Sequence, residues 1–392
     1  MPSLALSEDR ILPEDGWEGA LAARIWRPDA EGPSVAAVRS DGVYDVSAQF
    51  PTMRDFCEHA RPADALRRAK GERIATFAEI LAATPRDARS DDAPRLLAPV
   101  DLHAIKAAGV TFAQSLIERV IEERARGSRD GAAQARQAIA RILGDEIDKI
   151  KPGSVAAMRL KDALVEAGAW SQYLEVGIGP DAEVFTKGQP MSAVGCGDDA
   201  GFHGDSRWNN PEPEIAIAVA SDGRMVGATL ANDVNLRDFE GRSALLLGKA
   251  KDQNASCALG PFLRFFDSTF SLDDVRAAAV SLEVDGEDGF VLEGRSSMAK
   301  ISRDPAELVA QTIGPNHGYP DGFVLLLGTM FAPVQDRDAS GMGFTHKTGD
   351  VVTIGSAKLG RLVNRMRPSA ECDRWTFGVG ALMRNLARRG LI

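Results

Sequence analysis

Three carboxylates near the middle of the chain are spaced as ligands for an oxygen-bound divalent cation. Glu212 and Glu214 stand two residues apart at the start of the apolar run 215–219. Alternate side chains of a strand share a face, so both carboxylates project the same way. Asp233 follows the next apolar run, 226–230, and joins them if the two runs pair as a hairpin. Such oxygen ligands, with no paired His or Cys, favour Mg²⁺, with Mn²⁺ also accepted, over Zn²⁺.

These carboxylates belong to an ordered series of motifs. Glu-x-Glu at 212–214 is followed by Asn-Asp-x-x-x-Arg-Asp at 232–238 and by a Gly-Lys segment at 248–261 that ends in Gly-Pro. Phe-Thr-Lys precedes them at 185–187, and Leu-Gly-Thr follows them at 327–329. In this order the motifs resemble those of the fumarylacetoacetate hydrolase superfamily.

The resemblance covers about residues 100–392 and implies a role for each matching side chain. It implies that the metal ligands are the same three carboxylates. Two residues would transfer protons, although the resemblance does not say which is the acid and which the base. Four more would contact the substrate. The proton-transfer residues are Lys251 and Glu118, and the substrate-binding residues are Ser115, Lys187, Arg237 and Thr329.

One departure from the pattern of the superfamily's hydrolases bears directly on the chemistry. Their opening motif, Gly-x-Asn-Tyr-x-x-His-x-x-Glu, supplies a His–Glu dyad that activates water. Here Ser115 takes the place of the histidine, while Glu118 keeps the glutamate. A serine hydroxyl has a pKa far too high to act as a base near neutral pH without a neighbouring base to activate it. The sequence therefore argues against hydrolysis by this dyad.

The opening Gly-Val-Thr-Phe at 109–112 and the segment Trp-Asn-Asn-Pro-Glu-Pro-Glu at 208–214 are similar to the 2-keto-3-deoxy-pentonate dehydratase branch of the superfamily. That branch implies Mg²⁺-dependent conversion of 2-keto-3-deoxy-D-pentonate (2-dehydro-3-deoxy-D-xylonate or arabinonate) to 2-oxoglutarate semialdehyde (2,5-dioxopentanoate). Polarising the ketone acidifies the C3 protons, and the resulting enolate expels the C4 hydroxyl as water. The alternatives are an acylpyruvate-type carbon-carbon bond hydrolase and a non-catalytic binding protein that kept the fold.

Composition limits the partners and the location of the protein. The formal charge of -10 disfavours nucleic acid or an anionic membrane as a partner. Four scattered cysteines are typical of reduced thiols in the cytoplasm. We find neither a signal-peptide pattern nor an apolar run near the roughly 20 residues that span a bilayer. We therefore expect a cytoplasmic enzyme without a membrane partner, and the resemblance implies a homodimer or homotetramer.

The chain length predicts two parts, and the mixture of helical and strand patterns predicts the α+β class. Residues 1–95 are expected to form a small α+β domain, and 86–94, charged and poor in large apolar residues, its linker. Residues 96–392 would form the catalytic domain, and the resemblance implies a mixed β-sandwich roll for it. Helical periodicity predicts an insert at about 112–168, acting either as a lid over the metal or as a structural hairpin. The apolar positions that carry this periodicity are Leu116, Val120, Ile121, Ile139, Ile142 and Leu143.

Overall fold

The computed structural model describes residues 4–129, 131–132, 134–136 and 150–392. The strands in these ranges are β1 (Ala20–Arg27), β2 (Gly32–Arg39), β3 (Gly42–Asp45), β4 (Glu72–Ala75), β5 (Arg95–Leu97), β6 (Ala104–Gly109), β7 (Glu183–Gly188), β8 (Asp199–Phe202), β9 (Asn209–Asn210), β10 (Pro213–Val219), β11 (Met225–Asp233), β12 (Asn235–Leu236), β13 (Cys257–Phe265), β14 (Ala279–Asp285), β15 (Val291–Ser297), β16 (Phe323–Leu326), β17 (Val351–Ser356) and β18 (Gly360–Pro368). The helices are α1 (Glu8–Ile11), α2 (Met53–Glu58), α3 (Pro62–Arg68), α4 (Phe77–Ala83), α5 (Ala113–Arg124), α6 (Val155–Glu166), α7 (Gln172–Ile178), α8 (Arg237–Glu240), α9 (Leu247–Lys251), α10 (Leu272–Ala277), α11 (Pro305–Thr312) and α12 (Val379–Arg388).

Two mixed sheets pack face to face. The larger has the order β4-β3-β2-β1-β13-β11-β10-β16-β6-β7, with β5 paired to β1, and the smaller has the order β15-β14-β17-β18-β8. Strand β14 alternates buried and exposed residues, so Val280, Leu282 and Val284 face inward, where they join Ile215 and Ile217 of β10 in one apolar core. The expected α+β class with a β-sandwich roll is confirmed.

The N-terminal strands share the larger sheet with the site-bearing strands. Strand β1 pairs antiparallel with β13, where Leu21 lies opposite Arg264. Helices α2 and α3 cover the face of the larger sheet that points away from the smaller sheet, through buried Phe56 and Leu66. The expected linker at 86–94 leads directly into β5. The division at residue 95 stays a prediction.

The predicted helical insert begins with α5. Its apolar positions Leu116, Val120 and Ile121 pack against Tyr173 and Leu174 of α7, which confirms the periodicity there. The other apolar positions named for the insert, Ile139, Ile142 and Leu143, lie outside the described residues. The role of the whole insert as a lid stays a prediction.

Among the described helices, none is both long and apolar enough to cross a membrane. The cysteines Cys57, Cys196, Cys257 and Cys372 are buried and unpaired, as their scatter predicted.

Candidate active site

The predicted hairpin brings the three candidate metal ligands together. Strands β10 and β11 pair antiparallel, with Glu214 opposite Ala231. Glu212 lies just before β10, and Asp233 is the last residue of β11. One carboxylate oxygen of each lies within 4.8 Å of the others, and all three side chains are at most 2% exposed. Three converging buried carboxylates are costly unless a positive charge neutralises them.

Two lysines face this carboxylate cluster. The Nζ of Lys251 lies 2.6 Å from Glu212 Oε2 and 2.9 Å from Asp233 Oδ2. The Nζ of Lys187 lies 2.7 Å from the other Asp233 oxygen and donates to the Val234 carbonyl at 3.0 Å. Burial alone would lower the pKa of Lys251, but Asp233 and Glu212 outweigh it and raise that pKa. Lys251 therefore enters the site as a protonated hydrogen-bond donor.

The Leu-Gly-Thr motif positions Glu214, one of the three candidate metal ligands. The backbone N–H of Gly328 donates to Glu214 Oε2 at 2.7 Å. Gly328 has φ +98°, and a Cβ there would lie 2.0 Å from Thr111 Oγ1, so the turn requires glycine. Burial, then repulsion from Asp233 and Glu212, raises the pKa of Glu214. A cation among these carboxylates would relieve that repulsion.

Helix α5 adds an arginine that the sequence did not single out. The guanidinium of Arg119 contacts Glu212 Oε1, lies 2.6 Å from Glu122 Oε2 and lies 3.4 Å from Glu240 Oε1. Its side chain is only 7% exposed. The signal was present in part, because Arg119 and Glu122 are spaced as a helical ion pair. Nothing in the sequence placed that pair against Glu212.

The three carboxylates, Lys251 and Arg119 line one small cavity of about 10 Å³. Among the described residues lining it, acidic side chains outnumber basic ones five to two. Buried carboxylate oxygens with an excess of negative charge suit Mg²⁺ or Mn²⁺. The acidic side chains are Glu183, Glu212, Glu214, Asp233 and Glu240, and the basic ones are Arg119 and Lys251.

The family model of the fumarylacetoacetate (FAA) hydrolase C-terminal domain matches residues 161–367. The chain belongs to this family. A 2-dehydro-3-deoxy-D-arabinonate dehydratase of Saccharolobus solfataricus is 31% identical over 188 residues, 47% of this chain and 58% of that protein. The alignment therefore covers less than two thirds of that relative. A probable 2-keto-3-deoxyxylonate dehydratase of Haloferax volcanii is 27% identical over 330 residues, 84% of this chain and 94% of that protein.

Solved structures with the FAA hydrolase fold are similar over most of the chain. A hexagonal crystal form of 2-keto-3-deoxyarabinonate dehydratase aligns with a TM-score of 0.61 and 22% identity, over 89% of this chain and 99% of that one. The 2-keto-3-deoxy-D-arabinonate dehydratase complexed with magnesium and 2,5-dioxopentanoate gives a TM-score of 0.58 and 20% identity with the same coverage. A fumarylacetoacetate hydrolase of Exiguobacterium antarcticum gives 0.54 and 16%, again with that coverage. At these identities the likeness establishes the fold.

Two of the substrate-binding residues implied by the FAA hydrolase family motifs line the pocket. Ser115 Oγ donates to the Phe112 carbonyl at 2.8 Å, and Thr329 Oγ1 donates to the Phe331 carbonyl at 3.1 Å. Lys187 does not line it, because its amine is fully buried behind Asp233. Its proposed substrate contact stays a prediction. In the structure its amine pairs with Asp233, one of the three candidate metal ligands.

The other two implied residues, Glu118 and Arg237, lie beside the pocket, with Arg237 Nη1 4.0 Å from Glu118 Oε2. Arg136 Nη2 donates to both Glu118 oxygens, at 3.0 and 2.8 Å. Arg237 Nε donates to Asn210 Oδ1 at 3.0 Å and lies 3.1 Å from Glu122 Oε1. Neither lines the pocket in this arrangement. Their roles in catalysis and substrate binding stay predictions of the family pattern.

The structure also brings Glu183, which the sequence did not suggest, into the pocket. Glu183 opens β7 and pairs with Gly109 of β6. A Cβ at Gly109 would lie 1.9 Å from Glu183 Oε2, so the glycine makes room for the carboxylate. Burial, then the charge of Glu240, raises the pKa of Glu183 to about 7. A group that titrates near neutral pH beside the metal cluster is suited to proton transfer.

Proposed function

We propose that the protein is a Mg²⁺-dependent hydro-lyase that removes water from 2-keto-3-deoxy-D-pentonate and forms 2-oxoglutarate semialdehyde, also named 2,5-dioxopentanoate. The observation that carries the proposal is the buried cluster of Glu212, Glu214 and Asp233, facing Lys251 in the same pocket. Two relatives are named as dehydratases of such sugar acids, and one solved neighbour holds magnesium and 2,5-dioxopentanoate. These findings support dehydration within the FAA hydrolase family.

In the proposed reaction, Glu212, Glu214 and Asp233 hold the cation. When bound, the cation supplies Lewis-acid polarisation of the 2-keto acid, which acidifies the C3 protons. One pocket group then takes a C3 proton, and another protonates the C4 hydroxyl as it leaves as water. Elimination leaves a double bond between C3 and C4, with the hydroxyl still on C5. Transfer of a proton from C5 to C3 then gives a C4–C5 enol, which tautomerises to the aldehyde at C5.

Lys251 and Glu183 are placed for these two proton transfers. Lys251 faces the pocket as an ammonium, and a cation held by Glu212 and Asp233 would offset the two charges that raise its pKa, so that it can donate to the leaving hydroxyl. Glu183 titrates at about 7, so a fraction is ionised at neutral pH and can accept the C3 proton. Glu118, the residue suggested by the family motif, remains a candidate because its helix α5 also carries Ser115 into the pocket.

The hydrolytic alternative lacks its base. At the histidine position of the hydrolases, the Ser115 hydroxyl is occupied by the Phe112 carbonyl. The described residues that line the pocket include no histidine to activate water. Efficient cleavage of an acylpyruvate by the wild-type protein would overturn this ranking.

The proposal extends to location and assembly. Free, buried cysteines are typical of the cytoplasm, and we propose that location. A homodimer or homotetramer is proposed from the family resemblance, and light scattering of the purified protein measures the assembly.

The test of the proposed function uses 2-keto-3-deoxy-pentonate of each C4 configuration, with Mg²⁺ or with a chelator. An NADP-linked aldehyde dehydrogenase detects the semialdehyde. We expect product from one isomer or both, and only with Mg²⁺, which also identifies the C4 configuration that the enzyme accepts. No product from either isomer would reject the proposal.

A further inference from the structure

We infer that Arg119 binds the C1 carboxylate of the substrate, which makes the site selective for 2-keto acids over neutral ketones. The inference rests on the proposed function, because it names the residue that recognises the acid group. Arg119 lies one residue beyond the opening motif at 109–118. Its position at the pocket comes from the three-dimensional structure.

The guanidinium of Arg119 keeps two donors for an incoming anion. A guanidinium has five N–H groups. Its Nη1 donates to Glu122 at 2.6 Å, its Nη2 contacts Glu212, and its Nε lies 3.4 Å from Glu240. Because each terminal nitrogen carries two hydrogens, Nη1 and Nη2 each keep one N–H. Two N–H groups of one planar guanidinium can meet the two oxygens of a carboxylate.

The contact with Glu212 places the Arg119 guanidinium beside the carboxylate cluster. If Glu212, Glu214 and Asp233 hold a cation, a 2-keto acid bound to it would place its own carboxylate next to these residues. Arg119 and Glu212 are in direct contact, so an anion held beside Glu212 is within reach of the guanidinium. The three acidic neighbours hold the side chain in place, so little rotamer freedom is lost on binding.

Other basic groups near the site are less suited. Lys251 directs its ammonium at Glu212 and Asp233, and Lys187 is fully buried behind Asp233. Arg237 stacks over the Trp208 ring at 5.3 Å and does not line the pocket. Among the described residues lining the pocket, Arg119 alone offers a planar pair of donors.

The competing explanation is that Arg119 only clamps Glu212. The two roles predict opposite results for metal and for ligand. A clamp that is removed should weaken Mg²⁺ binding. An anion receptor that is removed should leave Mg²⁺ binding intact and weaken the binding of 2-keto acids.

The experiment compares wild type with Arg119→Lys, which keeps the charge but not the fork, and with Arg119→Gln. Arg124→Gln is the matched control, because Arg124 lies on the same helix but is exposed and away from the pocket. Calorimetry measures the Kd of Mg²⁺ and, on the Mg²⁺-loaded protein, the Kd of pyruvate and of its neutral analogue pyruvamide. Kinetics on the accepted pentonate isomer supply KM and kcat.

For Arg119→Lys we expect a Mg²⁺ Kd close to wild type and a pyruvate Kd and KM raised roughly 10- to 100-fold, as for the loss of a charge-assisted hydrogen bond. Pyruvamide should bind both proteins equally. If Arg119→Gln does not fold, Arg119→Lys alone decides. Unchanged pyruvate affinity, or loss of Mg²⁺ binding in Arg119→Lys, would overturn the inference. Arg119-dependent pyruvate binding without pentonate turnover would reject the proposed function and leave the inference standing.

Discussion

Lys187 and Asp233 form a fully buried ion pair, with Nζ 2.7 Å from Oδ1, at the back of the carboxylate cluster. Lys187→Met removes the cation and leaves a buried carboxylate with less compensation. Breaking a buried pair in this way costs about 3–5 kcal/mol. We expect a loss of that size in the free energy of unfolding, measured with urea in the presence of a chelator. Mg²⁺ should recover part of it, because the ion neutralises Asp233.

Lys161→Met is the matched control for this prediction. Lys161 pairs with Glu175 at the surface, where both side chains are partly exposed. Exposed pairs contribute about 0–1 kcal/mol. Equal losses in the two variants would mean that the Lys187 pair contributes no more than a surface contact.

Glu214→Gln tests whether the carboxylate cluster binds the metal. Glutamine keeps the size of the side chain, and its carbonyl oxygen can still accept the Gly328 N–H. It removes one anionic ligand, so we expect the protein to fold but to lose both Mg²⁺ binding and turnover. In wild type, Mg²⁺ at 100 times its Kd should add about 2.7 kcal/mol to the free energy of unfolding. Chemical denaturation with and without Mg²⁺ measures that gain, and a full gain in the variant would place the metal elsewhere.

The hairpin and its carboxylates could be predicted from sequence because their information is local. Glu212 and Glu214 share a face by strand periodicity, and one short turn connects their strand to that of Asp233. The helical face of α5 was likewise readable from Leu116 and Val120. These features depend on neighbours in the chain.

The rest of the site depends on contacts between distant segments. Arg119 meets Glu212 across 93 positions, and Glu183 meets Gly109 through the pairing of β6 with β7. A charged residue in a helix or at a strand end is usually solvated, so nothing local distinguishes these two. Lys187 is the opposite case. Its motif indicated a substrate-binding residue, but its amine lies behind Asp233 and does not line the pocket.

Gly109→Ala tests the space that Glu183 occupies. The new Cβ would lie 1.9 Å from Glu183 Oε2, so the carboxylate must move away from its position. We expect kcat to fall about tenfold or more with the fold intact, since small displacements of a reacting group are costly. Gly248→Ala is the control, because a Cβ there meets nothing within 4 Å although Lys251 is nearby in the chain. Wild-type kcat for Gly109→Ala would mean that this carboxylate position does not matter.

The raised pKa of Glu183 predicts how stability depends on pH. The folded state holds a proton up to about pH 7, while the ordinary glutamate of the unfolded chain releases it near 4.5. The stabilisation is therefore complete below about 4.5 and is lost as pH rises to about 7. Glu183→Gln lacks this titration, so the stability of wild type relative to the variant should fall by up to about 3 kcal/mol over that range. Urea unfolding with a chelator measures it, and parallel pH curves would contradict the assigned pKa.

Two glutamates compete for the same proton-transfer role, and kinetics can separate them. Glu183 lines the pocket, whereas both oxygens of Glu118 accept hydrogen bonds from Arg136 beside it. Removal of a general acid or base typically lowers rates by about 10²–10⁴-fold. We expect Glu183→Gln to lower kcat within that range with Mg²⁺ affinity unchanged, and Glu118→Gln to lower it less, through the position of α5. The reverse order would return proton transfer to Glu118, because a carboxylate that acts from outside the pocket must leave Arg136 when the substrate binds.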